Sequence, residues 1–99
     1  MATETFSDAC IISCTVETNG PHGGDAGHGS RTVISLKDEG GTGWDARLVG
    51  HDGRAQTIEG PKEVRLEVAG DAEGRVLIDA LEWAANELRR QWREAQAAR

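Results

Sequence analysis

From Asp71 to about Ala97 the chain contains no proline and a single glycine, Gly74, in the first turn of the run. A stretch this long without breakers, with apolar side chains recurring every three to four residues, forms an α-helix and little else. At about 100° per residue, Leu77, Leu81, Ala84, Leu88, Trp92 and Ala95 fall on one stripe flanked by Ile78 and Ala85, with Arg75, Asp79, Glu82, Asn86, Arg89 and Arg93 opposite. Asp71 is the expected N-cap. One such helix needs a surface to cover, and the preceding seventy residues read as strands.

Cys10, Ile12, Cys14 and Val16 alternate with Ile11, Ser13, Thr15 and Glu17, as a half-buried strand requires. Arg31 to Lys37 repeats the pattern with Ile34 and Leu36 inward. Trp44, Ala46 and Leu48 form the inward set of a third strand. Asp52-Gly53 is a type I′ hairpin signal leading into a short fourth strand, Ala55 to Ile58. After Gly60-Pro61, Val64, Leu66 and Val68 alternate with Glu63, Arg65 and Glu67. The expected fold is α+β, an antiparallel β-meander of four to five strands covered on one face by a single long C-terminal α-helix. Residues 1 to 8 lack a pattern and are expected as a loose lead-in, with residues 9 to 99 forming one domain.

A core built at this length is modest, and only Phe6, Trp44, Trp83 and Trp92 are aromatic, so a homodimer is a natural way to gain buried area. The net charge of -6 is uneven, with seven basic against fourteen acidic side chains in residues 1 to 80. An acidic body disfavours nucleic acid, whose phosphates are held by Lys and Arg. The first twenty residues have neither a basic start nor a long apolar run, so a membrane anchor is not expected and the cytoplasm is the expected location. Cys10 and Cys14, in one strand, would lie ~13 Å apart, outside disulfide reach. They read as buried core thiols.

Chemistry has few places to sit. The segment Asn19 to Ser30 holds five glycines, a proline, His22, Asp25 and His28. In a simple meander this loop shares a rim with His51 and Asp52. His22, Asp25, His28 and His51 could then supply nitrogen and oxygen ligands to zinc or another divalent metal. The His-x2-Asp-x2-His spacing matches no established ligand signature, and backbone turns are the plainer role for such a loop. Ser30 with His28 or His51 as base lacks a nucleophile-elbow pattern, and neither a Walker nor a dinucleotide fingerprint is present. The expectation is therefore a non-enzymatic module without a cofactor, an inhibitor or adaptor that binds a protein partner through a surface patch or the glycine-rich loop. The sharpest patch is Trp83, which lies about 120° from the helix stripe and aligns with Val76, Ala80 and Glu87.

Overall fold

The structure is a computed structural model that describes residues 1–21 and 29–98. The chain is α+β: strands β1 (Ala2–Ser7), β2 (Ile11–Thr18), β3 (Arg31–Gly40), β4 (Asp45–Val49), β5 (Ala55–Glu59) and β6 (Glu63–Ala69) precede one helix, α1 (Asp71–Ala97). It divides into two compact units, Met1–Thr18 with Thr32–Glu67, and Asn19–Arg31 with Val68–Arg99.

In the first unit β1, β2 and β3 form a meander, and β6 completes a four-stranded sheet in the order β1-β2-β3-β6. The sixth strand comes from the segment expected as a lead-in. Ala2–Ser7 has only Phe6 as a large apolar side chain beyond Met1, yet it pairs antiparallel with β2 along its full length, from Ala2↔Val16 to Ser7↔Ile11. Backbone bonding to a neighbour, not an apolar period, makes it a strand. Between β2 and β3 the register passes from Ile12↔Asp38 to Ile11↔Gly40, leaving Glu39 as a bulged residue. Its carboxylate accepts a 3.0 Å bond from the Ser13 hydroxyl.

β4 and β5 are a separate two-stranded sheet, inserted between β3 and β6, and not further strands of a meander. Asp38 fixes the start of this excursion. Its carboxylate accepts from the Gly40 and Thr42 amides at 2.9 and 3.3 Å. The Thr42 hydroxyl is the main influence holding Asp38 below the usual carboxylate range, with those amides and Lys62 assisting against slight desolvation. At the other end of the excursion the Trp44 indole N–H donates to the Pro61 carbonyl at 2.7 Å. The hairpin tip is not a type I′ turn, which needs positive φ at both central residues. Gly53 N–H bonds back to Gly50 O at 2.9 Å with His51 and Asp52 central, and only Gly53 has positive φ, +82°. This is the geometry of a type I turn followed by a left-handed glycine.

The pairing confirms which residues share a face. Cys14↔Leu36 and Val16↔Ile34 lie on one side, and Ser13↔Lys37, Thr15↔Ser35 and Glu17↔Val33 on the other. Burial does not follow the expected polarity. The buried residues of the sheet are Val33 and Ser13, both on the polar side, whereas Phe6, Val16 and Leu66 on the apolar side are exposed. Cys10 and Cys14 are free thiols and half-buried rather than core residues.

In the second unit, Asn19 closes the base of the loop, its side chain donating to Gly29 O at 2.8 Å and accepting from Arg31 N–H at 2.7 Å. Gly70 N–H donates to Ser30 O at 2.9 Å, so the junction between β6 and α1 is tied to the same loop. The N-cap is Gly70, and Asp71 is the first helical residue, without a side-chain cap bond. Gly70 adopts φ 112°, ψ 150°, a conformation reserved for glycine. Asp71 and Glu73 place two carboxylates in the first turn, where the helix dipole favours them.

Candidate interaction surface

α1 spans 27 residues, about 40 Å at 1.5 Å per residue. Its least exposed line runs through Gly74, Leu77 and Ala84, the first half of the stripe read from the sequence. Over the rest of the stripe the expectation of coverage fails. Ile78, Leu81, Leu88 and Trp92 are all exposed, Trp92 at 71%.

The second strip is also open. Val76 is 65% exposed and Trp83 69%, with Ala80 exposed between them. At i, i+4, i+7 and i+11, Val76, Ala80, Trp83 and Glu87 form one line along the helix. Val76 and Ala80, together with Val68, Ala72, Glu73 and Leu77, line an open hollow of about 460 Å³ whose walls are almost entirely apolar. The residues aligned by helical spacing alone thus border a concavity next to an exposed indole.

Glu87 ends the strip with a fixed charge. Arg90 reaches it through both its Nε, at 3.0 Å, and Nη2, and Gln91 Nε2 donates to it at 3.1 Å. Arg90 also bonds Glu94. The Arg90 hydrogen bond, with help from Gln91, lowers the Glu87 pKa from 4.5 to about 2. Held in this way, the carboxylate stays ionised beside Trp83 and is a directional acceptor at the border of an apolar line.

Of the metal ligands expected from the sequence, the described residues include only His51. His22, Asp25 and His28 lie outside the described residues. His51 sits at the tip of the β4–β5 hairpin. Among the described residues no group of three or more His, Cys, Asp or Glu is placed to hold a metal ion. Ser30 is 4% exposed, with its carbonyl engaged by Gly70, a poor position for a nucleophile. No helix among the described residues is long and apolar enough to cross a membrane. No protein-family model, no curated protein and no solved structure matches the chain.

Proposed function

We propose that this chain is a small acidic, non-enzymatic protein-binding module of inhibitor or adaptor type, and that α1 is the element a partner grips. One observation carries the reading: Trp83 and Val76 stand exposed at 69% and 65% on one helical line, beside a hollow walled by Val68, Ala72, Leu77 and Ala80. A large exposed aromatic with a small apolar surround is the composition of an interface anchor. Apolar side chains at i, i+4 and i+7 are how a helix is read by a grooved partner. Glu87 adds a carboxylate already held in place by Arg90, so its use as an acceptor orders little further chain. The net charge of -6 favours a partner with a basic rim around that groove. The two free thiols suit the reducing cytoplasm.

Affinity capture from host lysate with wild type and Trp83→Glu in parallel tests the reading. A protein retained by wild type and lost by the variant, with circular dichroism unchanged, is the expected result. Equal retention by both proteins would remove the helix strip as the binding surface.

A further inference from the structure

We infer that the exposed stripe of α1 through Ile78, Leu81, Ala85, Leu88 and Trp92 binds a second copy of this chain, the two helices lying antiparallel across a two-fold axis level with Asn86 and Glu87. This face is separate from the Val76, Ala80, Trp83 and Glu87 line, and the pairing does not depend on a partner gripping that line.

Ile78, Leu81, Ala85, Leu88, Trp92 and Ala95 recur at alternating intervals of three and four residues, the a and d positions of a heptad. All six are exposed, the four large ones at 38 to 71%. One border of this seam is Leu77, Ala84 and Gln91, which has no charge. The other is Arg75, Glu82, Arg89 and Gln96. Val76, Ala80, Trp83 and Glu87 fall at the c and f positions, on the far side of the helix.

The two charges beside the middle of the seam have no opposite charge within reach on their own helix. Helical neighbours lie three and four residues away. Around Glu82 these are Ile78, Asp79, Ala85 and Asn86, and around Arg89 they are Ala85, Asn86, Trp92 and Arg93. Among the described residues no ion pair engages either side chain. Glu87 and Glu94, away from the seam, are by contrast both held by Arg90. An exposed apolar stripe is thus bordered by one acid and one base, seven residues apart, that the protomer does not match.

The stripe is complementary to itself when one copy is reversed. Setting Ala85 opposite Leu88 of the second copy also sets Leu81 opposite Trp92 and Ile78 opposite Ala95, each twice across the axis. Every a position then meets a d position, and each alanine faces a larger side chain. In antiparallel helices the e borders face one another, so Glu82 lies beside Arg89 of the second copy on both sides of the axis. Sliding one helix by a heptad one way sets Glu82 against Glu82 and Arg75 against Arg89. Sliding it the other way sets Arg89 against Arg89. A parallel pair sets Glu82 beside Leu77 and Arg89 beside Ala84, with no charge matched. Charges at these border positions set partner choice and orientation, and here they select the antiparallel register centred between Asn86 and Glu87. The result is an isologous dimer that leaves the Trp83 line of each copy on its outer side.

Sedimentation velocity on the full chain, with circular dichroism alongside, tests this with Glu82→Arg, Arg89→Glu, an equimolar mixture of the two, and Trp83→Glu. Wild type is expected to dimerise. Each charge variant alone opposes like charges at two symmetric sites and is expected to weaken dimerisation at least about tenfold. In the mixture one protein is basic at both positions and the other acidic at both, so each cross-axis pair again joins opposite charges. A heterodimer is expected to be recovered, which also establishes that both variants are folded. Trp83→Glu is expected to remain dimeric, whatever it does to capture of another protein. A wild type that is monomeric at about 100 μM, a dimer that neither charge variant weakens, or variants that stay monomeric when mixed would overturn the inference. A dimer lost in Trp83→Glu with circular dichroism unchanged would also overturn it, by placing self-association on the other line.

Discussion

Replacing Gly70 by alanine probes the joint on which the second unit is built. Gly70 sits at φ 112°, ψ 150°, a region in which an L-residue other than glycine is strained by about 1–3 kcal/mol. A Cβ there would also lie 2.0 Å from Glu73 Oε2. The flexible carboxylate must swing away, which forfeits the few tenths to about 1 kcal/mol that an acid contributes in a first helical turn. Alanine restricts the unfolded chain and returns about 0.4–1 kcal/mol. The net loss is about 2 kcal/mol, which for a domain near 100 residues lowers the melting temperature by about 8–16 °C. Thermal unfolding followed by circular dichroism reads this directly, and repeating the substitution in a Glu73→Ala background separates the two causes. The backbone strain survives there, so most of the loss must persist. A melting temperature unchanged by Gly70→Ala would refute the reasoning, and a loss that vanishes in the Glu73→Ala background would assign it to the carboxylate instead.

Three further outcomes follow from the geometry. Trp44→Phe removes the donor to the Pro61 carbonyl and should lower stability by about 1–3 kcal/mol, read as a shifted urea midpoint with an unchanged slope. Glu87 has its pKa lowered from 4.5 to about 2 by Arg90 and Gln91. A depressed folded pKa means that its stabilising contribution is complete above about pH 4.5 and lost as pH falls through about 2; carboxyl NMR titration should find that value return toward 4.5 in Arg90→Ala. Cys10 and Cys14, being half-buried, should alkylate in the native protein faster than it unfolds, and mass spectrometry showing both refractory would contradict their placement.

The helix was legible because Asp71 to Ala97 contains no breaker and its apolar period is plain. Its cap was misplaced, since Gly70 is tied by its amide to Ser30 and leaves Asp71 inside the first turn. All five expected strands appear, the short fourth one included, with ends shifted by at most three residues, because alternation reports which faces residues share. Alternation does not report who pairs with whom. The thread from Gly40 to Lys62 could have continued the meander, and its departure as a hairpin depends on the Asp38 turn and the Trp44–Pro61 bond, both involving side chains that the apolar period ignores. β1 was missed for the same reason: Thr3, Glu4 and Thr5 have no apolar alternation, and the ladder to β2 supplies what the side chains do not. The Val76, Ala80, Trp83 and Glu87 line needed only helical geometry, whereas the exposure of Leu88 and Trp92 is not written in the apolar period, which puts them on the same stripe as Leu77.

The most direct test of the account is the dissociation constant of the partner captured by wild type, measured for wild type and for Trp83→Ala by titration calorimetry. If Trp83 anchors the interface, truncation removes at least about 2 kcal/mol and weakens binding about thirtyfold or more, with the helix content of the protein unchanged. Binding within twofold of wild type by an equally helical variant would contradict the claim that α1 is the surface through which this protein acts.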